Sequence, residues 1–228
     1  MPEAEIPTIL IRFNNEMRLH EIPLFRGAVI HSLQEASVFF HNHSGKDTLR
    51  YAYPLIQYKC IDGKAAMLGI KEGVSDVEKF LACNPDIMRI GQRRDRMLIH
   101  KINRGDTALK LTSEWNLYEL HNYLPLSQEN YMQYRNAESL AERCTLLEQC
   151  LVGNILSFAK GVGVHFDEQI KVVLQNAENI KLYEFKKVKM MAFDIVFNAN
   201  VSLPQYIGLG RKVSFGFGTL TWCDDKCK

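Results

Sequence analysis

A stretch near the C-terminus of this chain contains four glycines, two adjacent cations and a serine within eleven residues, and this composition restricts the backbone conformations that it can adopt. The stretch, which we call the glycine-rich loop, reads Gly208-Leu-Gly210-Arg211-Lys212-Val-Ser214-Phe-Gly216-Phe-Gly218. Glycine adopts positive φ without strain and lets another backbone approach closely. Backbone N–H groups combined with Arg and Lys are typical of a phosphate cradle. Glycine pairs are equally typical of two tight turns that frame a short strand.

The spacing of these glycines excludes two nucleotide-binding loops. The dinucleotide pattern G-x-G-x-x-G requires a glycine at the position of Val213. A Walker loop requires Gly-Lys-Ser/Thr, which the chain does not supply at Arg211-Lys212. The sequence therefore predicts no nucleotide cofactor, and we expect no other cofactor.

Composition and charge are those of an ordinary soluble protein of one or two domains. The chain has 228 residues, of which 46% are apolar and 24% charged, and its net charge is +2. This charge argues against a polybasic coat but permits a local basic groove. No apolar run approaches the ~18–20 residues of a membrane span, and the N-terminal residues show no signal-peptide pattern. We therefore expect a cytoplasmic protein that does not contact membrane.

The cysteines do not indicate a metal site. Six are scattered along the chain, without a C-x-x-C motif, and we expect reduced thiols. The pair Cys223 and Cys227 has no matching His or Cys pair nearby. The sequence therefore predicts no metal.

The first half of the chain predicts the order β-α-β-β-α-β, which is the ferredoxin-like unit. Apolar and β-branched runs predict the strands, and helical spacing of apolar residues predicts the helices. The predicted strands are 8–13, 50–59, 65–70 and 87–102, the last being a long strand or a hairpin interrupted by Arg93–Arg96. The predicted helices are 24–40 and 72–81.

The second half predicts a similar order after a candidate boundary at Arg104-Gly105-Asp106. Its longest predicted helix is 138–160, and a short turn at 204–207 takes the place of a second helix. The predicted strands are 115–123, 169–174, 180–187, 188–198 and 213–222. The fold class is therefore α+β, with tandem ferredoxin-like domains at 1–105 and 106–228, the second carrying the glycine-rich loop.

The first candidate chemical group is His41-Asn-His43, which follows the first predicted helix. Imidazole titrates near neutrality and can take or give a proton at pH 7. RNA cleavage without a metal needs a base for the 2′-OH, an acid for the 5′-oxygen and cations for the phosphorane. The alternative is that these histidines are solvated cations favoured by the helix dipole.

Tyrosines and cations supply the remaining candidates. Tyr51 and Tyr53 lie in a stretch with Arg50 and Lys59, and this alternation suits base stacking and phosphate contact. Lys160 ends the longest predicted helix and is a further cation for RNA. The alternative is that Tyr53 and Tyr58 are ordinary strand residues facing a core.

Several stretches in order resemble one protein family. Gly208-x-Gly210 followed by Gly216-x-Gly218 resembles the glycine-rich loop of the repeat-associated (RAMP) superfamily. The further stretches are Leu24-Phe-Arg26-Gly27-Ala28, Phe40-His-Asn-His43, Tyr53-Pro-Leu-Ile-Gln-Tyr-Lys59, Gly69-Ile-x-Glu72-Gly73, Gln128-Glu-Asn-Tyr131, Gly153-Asn-Ile-Leu-Ser-x-Ala-Lys160-Gly161 and Pro204-x-Tyr206-Ile-Gly-Leu-Gly210. Together they resemble the b-type branch of the sixth CRISPR-associated protein family, the CRISPR-RNA-processing endoribonucleases.

The resemblance implies metal-independent cleavage of CRISPR precursor RNA within each repeat, by 2′-OH attack that leaves a 2′,3′-cyclic phosphate. It implies that His41 and His43 are catalytic with a nearby tyrosine, either Tyr51 or Tyr53, of which the Tyr53-Pro54 dipeptide favours the second. It also implies that the glycine-rich loop holds RNA. With Lys160, the expected RNA-binding residues are Gly208, Gly210, Arg211, Lys212, Ser214, Gly216 and Gly218.

The chain departs from the family pattern at two positions of the loop. Arg211-Lys212 stands where the family more often has Lys followed by a small residue, and Phe215 stands where it often has Arg. The loop is therefore expected to contact RNA through different cations.

Two alternatives to the enzyme remain. RAMP folds also serve as RNA-binding subunits that do not cleave, and a metal-dependent nuclease would use the same histidines. The H-x-H motif beside a tyrosine-rich strand favours the enzyme, since a pure binding module does not require it. The expected partner is CRISPR repeat RNA, and further candidate partners are other CRISPR effector subunits and a second copy of the chain.

Overall fold

The computed structural model describes residues 4–33, 43–44, 48–49, 53–83, 87–185 and 188–223. The chain divides into two compact units. The N-terminal unit contains Glu5–Thr107 and also Val213–Gly216 from the glycine-rich loop. Of the described residues, the C-terminal unit contains Ala4, Ala108–Lys212 and 217–223.

The sheet of the N-terminal unit has the strand order of a ferredoxin-like fold. Its elements are β1 (Ala4–Glu16), α1 (Ile22–Ser32), the short strands β2 (His43–Ser44) and β3 (Thr48–Leu49), β4 (Ile56–Ile61), β5 (Lys64–Ile70), α2 (Glu72–Cys83), β6 (Ile87–Ile90), β7 (Arg93–Arg96) and β8 (Ile99–Leu109). The four main strands lie in the order β4-β5-β1-β8, and β5 is antiparallel to both β1 and β4. This order confirms the predicted fold class for the first half.

Helix α1 is shorter than the predicted helix 24–40. It follows a single 3-10 turn at Leu19–Glu21, and its buried face consists of Ile22, Phe25, Ala28 and Val29. Their spacing matches one side of a helix, which packs into the core of the unit. The helix ends at Ser32, because Leu33 has extended φ/ψ of −94°/121°. Residues 34–40 of the predicted helix lie outside the described part of the chain.

Helix α2 approaches the sheet closely because two glycines face each other. A Cβ added to Gly69 on β5 would lie 2.7 Å from the Gly73 carbonyl oxygen on α2. A Cβ added to Gly73 would in turn collide with the carbonyl group of Leu55. Real Cβ atoms do not tolerate such distances, so the Gly69-to-Gly73 motif is explained by the packing of helix on strand.

The predicted strand 87–102 is a hairpin followed by a separate strand. Gly91 has φ +63° and lies in the turn between β6 and β7. The four residues Arg93–Arg96, expected to interrupt the segment, form β7 itself. Buried Met88 and Ile90 alternate with exposed residues on β6, so one face of the hairpin packs on the core.

The C-terminal unit repeats the same sheet order. Its elements are β9 (Leu111–Tyr123), α3 (Gln128–Asn136), α4 (Leu140–Gly161), β10 (Val172–Phe185), β11 (Val188–Val201) and β12 (Thr219–Trp222). The strands lie in the order β10-β11-β9-β12, and the adjacent pairs are antiparallel. The predicted strands 169–174 and 180–187 are one continuous strand, β10, with register shifts near Leu174 and Glu178.

Helix α3 was not predicted from the sequence, whereas the predicted bounds of α4 are correct to within two residues. The side-chain oxygen of Ser127 accepts a hydrogen bond from the Asn130 amide and caps α3, and Ser139 caps α4 in the same way. Helix α4 buries Leu147, Leu151 and Ile155. Helix α3 has no buried residue, so its sequence lacks the apolar stripe by which a helix is predicted. None of the described helices is long and apolar enough to cross a membrane.

Candidate functional site

The predicted catalytic residues are only partly described by the structure. His43 lies in β2, where its backbone pairs with Leu49 of β3. Its side chain, His41 and Tyr51 lie outside the described part of the chain. The roles of the two histidines therefore stay a prediction, as does the choice between Tyr51 and Tyr53.

Tyr53 is half-buried just before β4, and its hydroxyl is part of a local hydrogen-bond network. The Gln57 side-chain nitrogen Nε2 donates to the Tyr53 hydroxyl oxygen at 2.8 Å. The same nitrogen donates to the Pro54 carbonyl oxygen at 3.1 Å. Gln57 itself is fully buried, whereas its contact with the half-buried Tyr53 is part-buried.

Two residues further along β4 lies Lys59, which is also fully buried. Within the part of the chain that the structure describes, neither Lys59 Nζ nor Gln57 Oε1 has a hydrogen-bond partner. Burial lowers the pKa of Lys59 to about 7, because the apolar surroundings disfavour the ammonium form. Strand alternation places Gln57 and Lys59 on one face of β4 and the core residues Ile56 and Tyr58 on the other.

The glycine-rich loop runs alongside β4. Phe215 forms a parallel bridge with Tyr58, within the N-terminal unit. The Arg26 guanidinium lies 5.0 Å from the centre of the Phe215 ring, a cation–π contact. Burial lowers the pKa of Arg26, and burial raises that of Tyr58. Phe215 therefore packs against both β4 and Arg26 within the N-terminal unit.

Backbone conformation explains the glycines of the loop better than phosphate binding does. Gly210 has φ +93°, and a Cβ there would lie 2.7 Å from the Tyr123 ring. Gly218 has φ +61°, and a Cβ there would collide with the Leu209 carbonyl group. Both positions exclude side chains on two independent grounds, positive φ and lack of space.

Several backbone N–H groups of the loop donate within the protein. The Leu209 amide donates to the Gly218 carbonyl at 2.9 Å, and the Gly218 amide donates to the Asn122 carbonyl at 3.1 Å. The Arg211 amide donates to the Leu124 carbonyl at 3.0 Å, and the Gly216 amide donates to the Val213 carbonyl at 3.3 Å. A phosphate would reach these four groups only by breaking hydrogen bonds, so they do not form an open cradle.

The predicted last strand, 213–222, is confined to Thr219–Trp222. The Gly216-to-Val213 hydrogen bond closes a turn, and positive φ at Gly216 and Gly218 interrupts the extended backbone. The backbone of the loop therefore forms tight turns, which was the alternative to a phosphate cradle.

The loop's outward groups are side chains. Arg211 is exposed, while Lys212 and Ser214 are half-buried, and Lys212 has φ +58°. Lys160 is exposed in the last turn of α4, as predicted from the sequence. Cations that remain in contact with solvent retain their attraction for phosphate.

No group of three His, Cys, Asp or Glu side chains able to hold a metal ion occurs within the described ranges. His41 and Cys227 lie outside those ranges, as does the side chain of His43.

The sequence pattern pointed to no particular role for Gln57, and it gave Lys59 only as a cation suited to phosphate contact. The signal that could have found them is the alternation of polar and apolar residues on β4, Ile56-Gln57-Tyr58-Lys59. Two polar residues on the same face of a strand indicate a candidate site when that face is buried, because buried polar groups normally have hydrogen-bond partners. Burial of that face is a property of the tertiary structure.

Comparison with known proteins places both halves of the chain in one family. Residues 4–108 match the family model of the Cas6b N-terminal domain, and residues 110–223 match that of the Cas6b C-terminal domain. A relative from Methanocaldococcus jannaschii, an uncharacterized protein, is 36% identical over 98 residues. That alignment covers 43% of this chain and 65% of the relative, so the chain spans less than two thirds of the relative's length.

Solved structures agree with the family models. A crystal structure of Cas6b superposes with a TM-score of 0.88 at 26% identity, covering 96% of this chain and 100% of the other. A second, described as the CRISPR RNA processing endoribonuclease Cas6b, has a TM-score of 0.72 at 25% identity, with coverage of 96% and 100%. A type IV crRNA endonuclease, Csf5, shares the fold with a TM-score of 0.59 at 12% identity, with coverage of 97% and 100%. Since the matched family models span nearly the whole chain and both ferredoxin-like sheets, the chain belongs to the Cas6b family.

Proposed function

We propose that this protein is an endoribonuclease that cleaves CRISPR precursor RNA within its repeats, without a metal, by attack of a 2′-OH. The observation that carries the proposal is the match of both domains to Cas6b together with the likeness to a structure described as a CRISPR RNA processing endoribonuclease. The H-x-H motif at His41 and His43 supplies the acid–base groups that this reaction requires.

In the proposed reaction one histidine removes the 2′-OH proton, and the 2′-oxygen attacks the adjacent phosphorus. The bond from phosphorus to the 5′-oxygen breaks, and an acid protonates that oxygen as it leaves. The other histidine or the tyrosine is the acid, and the products are a 2′,3′-cyclic phosphate and a 5′-hydroxyl. Cations stabilise the charge of the phosphorane.

RNA is proposed to bind through side chains of the glycine-rich loop and α4. The exposed Arg211 and Lys160 and the half-buried Lys212 and Ser214 support this proposal. The glycines contribute indirectly, because they allow the loop a backbone conformation that residues with a Cβ could not adopt.

The test is a cleavage assay in EDTA with the CRISPR repeat RNA of the same genome. A matched substrate carries a 2′-deoxy nucleotide at the scissile position. We expect cleavage of the first substrate and none of the second, because the deoxy sugar lacks the nucleophile. Tight binding of both without cleavage would favour a non-catalytic RNA-binding subunit, and loss of activity in EDTA would favour a metal-dependent nuclease.

Two sets of variants distinguish the proposed catalytic residues from the proposed RNA-binding residues. His43→Ala is expected to lower the single-turnover rate by about 10²-fold or more while RNA affinity is kept. Arg211→Ala and Lys212→Ala are expected to weaken binding and to reduce its salt dependence, because fewer counterions are released. An unchanged single-turnover rate in His43→Ala would show that His43 is not catalytic. An unchanged salt dependence of RNA binding in the loop variants would show that the loop does not contact RNA phosphates.

A further inference from the structure

The positive charge of this chain is concentrated in one segment of the N-terminal unit. Residues 87–104, which include β6, β7 and the first part of β8, contain six of the 28 Lys and Arg residues of the chain and one of its 26 Asp and Glu residues. The remainder of the chain is therefore net negative, although the whole chain has a charge of +2. A local excess of this kind attracts polyanions even when the net charge is small.

The β6–β7 hairpin separates its charged residues between two faces. On β6, Met88 and Ile90 belong to the core, and the residues directly opposite them on β7, Asp95 and Arg93, share that inner face. The outer face consists of the other two cross-strand pairs, Arg89 with Arg94 and Ile87 with Arg96. Three arginines therefore share the outer face of the hairpin, and its one carboxylate lies on the inner face.

Carboxylates pair with the arginine of the inner face and leave two arginines of the outer face without an ion pair. The Arg93 guanidinium lies 2.6 Å from both Glu21 Oε1 and Asp95 Oδ2. Arg89 Nε donates to the Gly91 carbonyl oxygen at 3.2 Å, which uses one N–H of a group that carries several. Within the described ranges, neither Arg89 nor Arg94 forms an ion pair.

The hairpin is anchored on the side away from these two arginines. Met88 and Ile90 are buried in the core cluster. A Cβ added at Gly91, in the turn, would lie 3.2 Å from the Leu24 side chain on α1, so the turn packs closely on that helix. The Arg93-to-Glu21 ion pair ties β7 to the residue that precedes α1. The backbone from which Arg89 and Arg94 extend is thereby fixed before any ligand binds.

The pairing of Arg89 with Arg94 is unfavourable in the free protein. Residues directly opposite on antiparallel strands have Cβ atoms about 4.5–5.5 Å apart, and like charges at this distance repel. An anion that accepts hydrogen bonds from both guanidinium groups would replace this repulsion by charge-assisted hydrogen bonds. The planar fork of a guanidinium matches the oxygens of a phosphate.

We propose that Arg89 and Arg94 form a clamp that binds one phosphate of the RNA backbone, in addition to the proposed contacts of the glycine-rich loop. The inference rests on the proposed function, which supplies RNA as the polyanion. Contacts to phosphate position an RNA without reading its bases, so the clamp contributes to affinity and not to the choice of repeat sequence. Arginines that only keep the surface soluble would have no effect on RNA binding.

The test measures the binding of repeat RNA with a 2′-deoxy nucleotide at the scissile position, at several salt concentrations. Arg89→Thr and Arg94→Thr are each expected to weaken binding by about 3- to 10-fold near 0.1 M salt. Each is also expected to lower the slope of log affinity against log salt concentration by about one. Unchanged affinity and slope in both variants would overturn the proposal.

The double variant tests whether the two arginines share a phosphate. If they do, the loss of affinity in the double variant is smaller than the product of the two single losses, because the second substitution acts on a contact that the first has already weakened. Losses that multiply would show that Arg89 and Arg94 act on separate phosphates and would overturn the clamp.

Arg93→Thr is the matched control, since it removes the same charge from the same strand but on the inner face. We expect its RNA affinity and salt slope to stay within about 2-fold of the wild type. Equal losses in Arg93→Thr and Arg94→Thr would show a general effect of charge and would overturn the proposal.

Thermal unfolding separates lost binding from lost folding. The melting temperature of Arg94→Thr is expected to be unchanged or higher, because the repulsion from Arg89 is removed while RNA binding becomes weaker. Arg89→Gln and Arg94→Gln, which retain a long polar side chain without the charge, replace any threonine variant that folds poorly.

The outcomes also distinguish this inference from the proposed function. If the wild-type protein cleaves the all-ribose repeat but the hairpin variants bind like the wild type, the inference alone is overturned. If the wild-type protein binds the repeat without cleaving it, the proposed cleavage is overturned, and the hairpin variants still decide the clamp. A wild-type protein that does not bind the repeat overturns both.

Discussion

At the scale of single residues, Gly218 and Gly27 form a matched pair with opposite expectations. Gly218 has φ +61° and no room for a Cβ beside Leu209, so Gly218→Ala is expected to lower the free energy of unfolding by about 1–3 kcal/mol or more. Gly27 lies in α1 with nothing within 4 Å, so Gly27→Ala is expected to raise it by about 0.5–1 kcal/mol. Urea unfolding of both variants measures the difference, and equal effects would contradict this account of the loop.

Also at this scale, Lys59 should make stability depend on pH. Its pKa is about 7 in the fold and ~10.4 when unfolded. Below pH 7 both states hold the proton, and the fold carries the full cost of the buried ammonium. Between pH 7 and 10 the unfolded state binds more protons, so the free energy of unfolding rises with pH.

The measurement is urea unfolding of the wild type and Lys59→Met at several pH values from 6 to 10. Relative to Lys59→Met, the wild type is expected to gain up to about 4 kcal/mol across this range. Other groups titrate equally in both proteins and cancel in the comparison. Parallel stability curves would show that Lys59 keeps an ordinary pKa in the fold.

At the scale of elements, the β6–β7 hairpin contains an unfavourable cross-strand pair. Arg89 and Arg94 lie directly opposite each other, and both are exposed. Like charges in this arrangement repel, so Arg94→Thr is expected to raise the free energy of unfolding by about 0.2–1 kcal/mol at low salt. The gain should shrink at high salt, where repulsion is screened.

The neighbouring Arg93 is the control on the same strand. Its guanidinium lies 2.6 Å from both Glu21 Oε1 and Asp95 Oδ2, and these carboxylates raise the pKa of Arg93. Arg93→Thr is therefore expected to lower stability, by about 1 kcal/mol or less because the pair is partly exposed. A stabilising effect of both substitutions would mean that hairpin stability depends on net charge rather than on pairing.

At the scale of the whole molecule, a late segment of the chain completes an early unit. Val213–Gly216 belongs to the N-terminal unit, and a Cβ at Gly216 would lie 3.0 Å from the Leu19 side chain and 3.4 Å from the Tyr58 carbonyl oxygen. Gly216 also has φ +87°. Gly216→Val is therefore expected to loosen the residues around Leu19 and β4, which precede it by more than 150 positions.

Hydrogen exchange measured by mass spectrometry tests this expectation. Peptides covering 19–25 and 56–61 should exchange faster in Gly216→Val, while β10 and β11 stay protected. Gly153→Val is the control, because a Cβ at Gly153 in α4 meets nothing within 4 Å. If exchange accelerates only in peptides after residue 200, the loop does not stabilise the N-terminal unit.

Local patterns in the sequence were sufficient to predict the two ferredoxin-like sheets and the positions of the main helices. Apolar periodicity is local information, so the stripe Leu147, Leu151 and Ile155 predicted α4 almost to its ends. Motif order was sufficient to suggest the family that the domain comparisons confirm. The end of α1 at Ser32 and the exposed helix α3 were not predicted, because neither is marked by an apolar pattern.

The packing and hydrogen bonding of the glycine-rich loop and β4 are visible only in the tertiary structure. The sequence shows four glycines but not that the Leu209, Arg211, Gly216 and Gly218 amides already have acceptors. It shows Gln57 and Lys59 but not that both are fully buried. Burial and hydrogen-bond saturation depend on segments far apart in the chain, such as Phe215 beside Tyr58, and local patterns carry no record of such contacts.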